Sequence, residues 1–267
     1  MTKLSILKIG GKVIDQPEAL QEFLTEFASI PSPKILVHGG GSSASQFAEK
    51  TGVPVQMVEG RRITDAAMLK VVVMIYAGWV NKQIVSSLQS TKTQALGLTG
   101  ADLNLILSQK RPPRPIDFGY VGDVTQVNTQ VLKNLLDQGV VPVLSPITHD
   151  GQGNLLNTNA DTITAEVAMA LAADYEVHLG FCFEKKGVLH DVEDDNSVIP
   201  QLTHREYLVL KEAQKINKGM IPKLDNAFRI LQSGVSVVRI MHFQDIRCWP
   251  KSLLGEQLFL GTKLQPL

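Results

Sequence analysis

Two lysines stand where a lysine is costly. Lys8 lies near the end of an apolar run, Leu4–Ile9, just before Gly10-Gly11. A cation inside such a run is expensive unless an anion pairs with it. Lys223 follows Gly219-Met220-Ile221-Pro222 at the opening of a predicted helix with Leu224, Ala227, Phe228 and Leu231 on one face. Pro222 suits a first turn, whereas a cation there opposes the helix dipole and is favoured only beside an anion. Each lysine taken alone is equally readable as one whose stem snorkels to solvent. Asn157-Thr158-Asn159-Ala160-Asp161 leads into another helix, with Ile163, Val167 and Leu171 at i, i+4 and i+8. Asp161 is then a first-turn or capping residue, in a polar cluster richer than a cap requires. In Gly60-Arg61-Arg62-Ile63-Thr64, an arginine can clamp a carboxylate with two parallel hydrogen bonds; a plain surface arginine is the alternative.

Glycines supply the complementary chemistry. Gly10-Gly11 follows the first strand, and His38-Gly39-Gly40-Gly41 follows the second and precedes a helix starting near Ser42. Such turns let backbone N–H groups approach a ligand closely, and the helix N-terminus adds partial positive charge. Two of them in the first two strand units suit two neighbouring phosphate or carboxylate groups. His38 reads as a hydrogen-bonding residue at a strand end. The sequence contains no GxxxxGK[ST], no GxGxxG and no VAIK, HRD or DFG element, so a nucleotide would be held on some other fold.

Six elements of each kind must position these groups. Apolar runs at Leu4–Ile9, Ile35–Val37, Ala95–Leu98, Val140–Leu144, Val177–Phe183 and Val235–Met241 are rich in Val, Ile and Leu and barely alternate. That is the signature of strands buried on both faces. Helices are expected near 16–30, 42–51, 65–90, 129–138, 161–174 and 220–233. The alternation predicts an α/β fold with a mostly parallel central sheet and helices on both sides. The helix at 65–90 carries Met68, Val71, Val72, Val73, Ile75, Tyr76, Trp79 and Val80 around most of its circumference. It therefore needs partners on two sides, either a subunit interface or full burial in one domain. Residues 110–128, with three prolines and Gly119-Tyr120-Val121-Gly122-Asp123, read as a loop and hairpin that could cover a ligand, or as a plain connection.

Composition narrows the class. The chain has 267 residues, with Lys plus Arg and Asp plus Glu both at 26. That balance argues against bulk electrostatic binding to nucleic acid or anionic membrane. With 44% apolar and 19% charged residues it reads as an ordinary folded chain. The longest uncharged apolar stretch, Val71–Val80, is well short of the ~20 residues of a membrane span. The two cysteines, Cys182 and Cys248, form no CxxC and no Cys/His pairing at metal spacing, so no metal site and a reducing, cytoplasmic setting are expected.

Taken in order, Lys8-Ile-Gly-Gly, His38-Gly-Gly-Gly, Gly60-Arg-Arg-Ile-Thr, Gly119-Tyr-Val-Gly-Asp, Asn157-Thr-Asn-Ala-Asp161 and Gly219-Met-Ile-Pro-Lys223 span nearly the whole chain. The set resembles the amino-acid kinase family, and within it the acetylglutamate kinases. The Asn-x-Asn-Ala-Asp element and the Arg62 motif favour that branch over carbamate, aspartate, glutamate 5- or uridylate kinases. The resemblance implies an open αβα sandwich in two lobes: residues 1–175 for the acylglutamate and the dimer contact, and 176–267 for the nucleotide. It implies ATP-dependent phosphorylation of the γ-carboxylate of N-acetyl-L-glutamate, or of an N-succinyl analogue, as the second step of arginine biosynthesis. ATP with Mg²⁺ would enter as co-substrate, with no tightly bound cofactor.

Carried over residue by residue, the resemblance makes Lys8, Lys223 and Asp161 catalytic. Gly40, Gly41, Arg62 and Asn157 would hold the acylglutamate. Gly10, Gly11, Gly39, Glu184, Gly187, Gly219 and Met220 would hold nucleotide or phosphate. One stretch departs: relatives usually have a Thr/Ser-Asp-Val element where this chain reads Phe181-Cys182-Phe183-Glu184-Lys185-Lys186-Gly187. That departure leaves a non-catalytic ligand-binding homologue, or a sister kinase for another small carboxylate, as alternative readings. Arginine-inhibited hexameric relatives carry an extra helix before the first strand; with Lys8 already on that strand, an arginine-insensitive homodimer joined through the 65–90 helix is expected.

Overall fold

A computed structural model describes residues 1–31, 33–58, 60–191, 193–216, 220–256 and 260–266. Each of the six expected strands and six expected helices forms. The central sheet has eight strands, in the order Gln201–Thr203, Thr262–Gln265, Val237–His242, Glu176–Phe183, Lys3–Ile9, Lys34–His38, Val141–Leu144, Ala95–Leu98. The last six run parallel. Thr262–Gln265 lies antiparallel to Val237–His242 and parallel to Gln201–Thr203.

The missing alternation in the strands has a direct cause, since both faces of the sheet are covered. Leu4 and Ile6 of the first strand enter one apolar cluster, beneath helices Ala160–Leu171 and Ile221–Gln232. Leu7 and Ile9 enter the other, against helices Pro17–Ser29 and Gly41–Lys50 and the long helix Ala66–Ser90. Lys8 shares the face of Leu4 and Ile6 by the two-residue period of a strand.

The boundary expected near residue 175 falls between helix Ala160–Leu171 and strand Glu176–Phe183. The sheet runs straight through it, pairing Lys3–Ile9 with Glu176–Phe183 from Lys3↔Glu176 to Ile9↔Cys182. Both apolar clusters draw residues from either side of it.

Two expectations are refined. Residues 110–128 do hold a hairpin, Ile106–Lys110 against Gly122–Val127. It belongs to a second sheet of four strands, completed by Ile147–His149 and Leu155–Asn157. The far end of its loop is pinned rather than free: Thr64 N–H donates to Phe118 O (2.9 Å), Tyr120 N–H to Thr64 O (2.7 Å) and Asn157 N–H to Tyr120 O (2.8 Å).

The long helix Ala66–Ser90 carries apolar side chains on two faces, one buried in the core and one exposed. Met68, Val71, Val72, Ile75, Tyr76, Val80, Ile84 and Leu88 are buried, while Met74 and Trp79 are 52% and 62% exposed. Its middle, Val73–Val80, is wound as a π-helix, which changes the angular spacing of side chains and spreads the apolar residues around the axis. By length and composition the helix could cross a membrane. Its inner face packs into the core, as in core helices of globular proteins.

Candidate active site

The two glycine turns meet at the C-terminal edge of the sheet, where ligands gather in open parallel α/β folds. Gly39 N–H donates to Ile9 O (3.2 Å) and Gly10 N–H to Cys182 O (3.3 Å), tying three adjacent strand ends together. The turns touch: a methyl group placed on Gly11 would lie 3.8 Å from both Gly41 N and Ser42 N. Gly40 has φ +152° and packs against Tyr76, whose ring would be 2.9 Å from a Cβ there, so no side chain fits. The carbonyls of Gly39, Gly40 and Gly41 are all engaged, by His38 Nδ1 (2.7 Å), Ala44 N (2.9 Å) and Arg62 Nη2 (2.8 Å). The first N–H groups of helix Gly41–Lys50 have no intrahelical acceptor, which makes this corner a cradle for an anion.

Beside the cradle, Lys8 Nζ donates to Asp161 Oδ1 at 2.8 Å. The sequence places that carboxylate well. Asn159 is the helix cap, accepting from Asp161 N–H (2.7 Å) and Thr162 N–H (3.2 Å), so the Asp161 side chain is released from capping. Lys223, in the first turn of Ile221–Gln232, stands 4.8 Å from the centre of the Phe183 ring. Lys8, Asp161 and Lys223 line one cavity with Phe181, Cys182, Phe183, Asn226 and Ile240.

Electrostatics couple the three. Burial opposes ionisation of Asp161, but the charge and hydrogen bond of Lys8 and the charge of Lys223 outweigh it and hold the carboxyl below its ordinary range. Burial pulls Lys223 below the usual lysine value; Asp161 and Glu184 resist this, and Lys8 adds to it. Burial also pushes the Cys182 thiol far up, which makes it an inert wall and no nucleophile.

On the other side of the cradle, Arg62 is 8% exposed and also donates to Ser45 Oγ (2.7 Å). Asn157 Nδ2 donates to Thr64 Oγ1 (3.0 Å). Arg62 thus reaches the Gly40-Gly41 turn, and Asn157 is joined to the Arg62 segment through Thr64, which the Phe118–Tyr120 turn also binds. Arg111, at the start of the hairpin loop, is paired with Asp123 and lies over Phe118.

The expected nucleotide residues are more scattered. Gly10, Gly11 and Gly39 belong to the cradle, and Glu184 is close enough to Lys223 to act on its proton affinity. Gly187 is buried against Thr262, and Met220 precedes the Lys223 helix with its side chain against the core. Gly219 lies outside the described residues. Sequence reading overlooked Tyr76, Ser42, Ser45 and Asn226 as site residues and treated Phe183 only as a departure. Asn226 stands three residues after Lys223 on a helix, a spacing that puts both on one face and could have flagged it.

An open parallel sheet with opposed glycine turns and a Lys-Asp-Lys cavity defines a phosphoryl-transfer scaffold without a P-loop. The model of the amino acid kinase family matches residues 3–242, and the chain belongs to that family. Its similarity is closer than the family alone. It is 52% identical over 265 residues to the acetylglutamate kinase of Cytophaga hutchinsonii, covering 99% of both chains. It is 54% identical over 238 residues to that of Bacteroides fragilis, covering 89% of this chain and 91% of the relative. Among solved structures, smu.665 of Streptococcus mutans UA159 matches with a TM-score of 0.76 at 26% identity, over 98% of each chain.

Proposed function

We propose that this chain is an ATP-dependent acetylglutamate kinase, transferring the γ-phosphoryl group of ATP to the γ-carboxylate of N-acetyl-L-glutamate in arginine biosynthesis. The observation that carries the reading is the meeting of Lys8, Asp161 and Lys223 around one cavity, beside a glycine cradle, in a chain half identical to enzymes of that name.

The chemistry sets modest demands. A glutamate side chain with a reference pKa of about 4.3 is ionised at neutral pH, so the acceptor needs no general base. The obstacle is repulsion between an anionic nucleophile and a polyanionic phosphate, and catalysis consists mainly of positioning and charge stabilisation. In this reading Lys8 and Lys223 neutralise charge on the transferring group from opposite ends of the polypeptide. Asp161 orients both ammonium groups. Gly11 N–H faces phosphate, with Gly10 and Gly39 shaping the turns through N–H groups given to Cys182 O and Ile9 O, while Gly40, Gly41, Arg62 and Asn157 hold the acylglutamate. Glu184, Gly187, Gly219 and Met220 fall to the nucleotide, bound by the 176–267 lobe over an acceptor lobe of 1–175.

Among the described residues, no group of three or more His, Cys, Asp or Glu side chains is arranged to hold a metal ion. Mg²⁺ fits this site as part of MgATP, carried largely by phosphate oxygens and water with at most one or two protein carboxylates. When bound it neutralises phosphate charge; the chain's own contribution is the lysines and N–H groups. We further propose a cytoplasmic homodimer joined through Ala66–Ser90, a reading supported by the exposed Met74 and Trp79.

A coupled ADP-release assay over a panel of acceptors tests the proposal. Turnover with N-acetyl-L-glutamate is expected. Turnover only with N-succinyl-L-glutamate would move the acyl specificity. Signal with carbamate or aspartate alone would make the chain a sister kinase, and no signal with any acceptor would overturn catalysis.

A further inference from the structure

His38 is fully buried, yet both its ring nitrogens are engaged. Nδ1 lies 2.7 Å from Gly39 O and Nε2 lies 3.0 Å from Asn81 Nδ2. A carbonyl oxygen only accepts, so Nδ1 carries the proton and Nε2 accepts from Asn81. The amide of Asn81 is itself fixed: its second N–H donates to Val143 O (3.0 Å) and its Oδ1 accepts from Lys82 Nζ (3.0 Å). Asn81 presses so closely on the neighbouring strand that a Cβ on Gly97 would lie 1.8 Å from its Oδ1. The result is a relay of fixed groups running from Lys82 through Asn81 and His38 to the first carbonyl of the glycine cradle.

That carbonyl matters because a trans peptide sets its C=O and the next N–H on opposite sides. Holding Gly39 O toward His38 turns Gly40 N–H away from the layer of His38, toward the sheet face that carries Lys8. Gly40 N–H meets no backbone acceptor among the described residues. Gly39 and Gly40 cannot resist rotation by themselves, since glycine is the residue most free to change φ and ψ. The geometry points to His38 as a positioning residue that holds the Gly39–Gly40 peptide with its N–H aimed into the anion cradle, acting through the Gly39 carbonyl without touching substrate. The tautomer is the part of the device that can fail, because only an Nδ1–H ring donates to Gly39 while accepting from Asn81.

The inference rests on the kinase reading for its activity readout only. The tautomer of the wild-type protein is measurable without substrate, by two-dimensional ¹⁵N–¹H NMR of the histidine rings. A protonated Nδ1 and a bare Nε2 at His38 are expected at neutral pH; the opposite tautomer overturns the proposal. The side-chain amide of asparagine overlays Nδ1 and that of glutamine overlays Nε2, so the two separate the contacts. H38N is expected to keep kcat within about threefold of wild type, whereas H38Q and H38A lose about 10- to 100-fold, somewhat less than loss of a direct donor, with KM values within about threefold. Equal kcat in all three variants per folded protein, or retention in H38Q but not H38N, overturns the role. Inactive wild-type protein would sink the kinase reading and leave the tautomer result standing.

Discussion

The site is built from charges that would be unfavourable apart. Lys223 loses hydration on burial and regains part of the loss from Asp161, whose own carboxyl is held ionised by two ammonium groups. In the proposed reaction an incoming phosphate would meet cations already held by Asp161, and so gain interaction energy with little reorganisation. K8A and K223A are each expected to lower kcat by about 10²–10³ with the melting temperature nearly unchanged, read by ADP release and thermal melts. Wild-type turnover in either would remove its assigned role. His38 adds a pH dependence with a definite sign. Burial, opposed by the Gly39 hydrogen bond and aided by Lys82, lowers its pKa to about 4 from an ordinary 6.5. Between those values the unfolded chain binds a proton that the folded chain does not. Stability from this group is therefore complete above pH 6.5 and falls by up to about 3 kcal/mol as pH drops to 4. Denaturant melts of wild type and H38N should diverge across that window and run parallel above it.

At the level of elements, the pinned turn at Gly119 is the sharpest test. Its φ is +72°, and a Cβ there would lie 2.3 Å from Thr64 O. G119A is expected to cost about 1–3 kcal/mol and to loosen the Thr64–Asn157 contact, raising KM for the acceptor more than KM for ATP. Equal changes in both KM values would separate this turn from the acceptor region. The central sheet was legible because each parallel strand is covered on both faces and reads as a Val, Ile and Leu run. The four-stranded sheet was not: Ile147–His149 and Leu155–Asn157 are three residues each, too short to declare a period. Their pairing depends on partners far along the chain, such as Leu107↔His149. Within the site, Lys8 and Lys223 were visible because a cation in an apolar strand or a helix's first turn demands an explanation. Phe183 and Tyr76 were not, because an aromatic residue in a strand or helix announces burial and says nothing of which charge or loop it will face.

Across the whole molecule, the proposed dimer would cover Met74 and Trp79, large apolar side chains exposed on a helix whose other face is buried in the core. Placing aspartates at both positions (M74D with W79D) is expected to give monomers in light scattering where wild type gives dimers; monomeric wild type would overturn the interface. The two apolar clusters are divided by sheet face, and each gathers residues from before and after residue 175. Calorimetry of the apo chain should therefore give one cooperative transition, and two resolved peaks would contradict that division of the core. The first strand sits in mid-sheet, hydrogen-bonded on one flank to Lys34–His38 and on the other to Glu176–Phe183. During synthesis it must wait with one edge bare until more than half of the chain has been made, so a truncated product would leave the ribosome with an open, aggregation-prone seam beside Lys8.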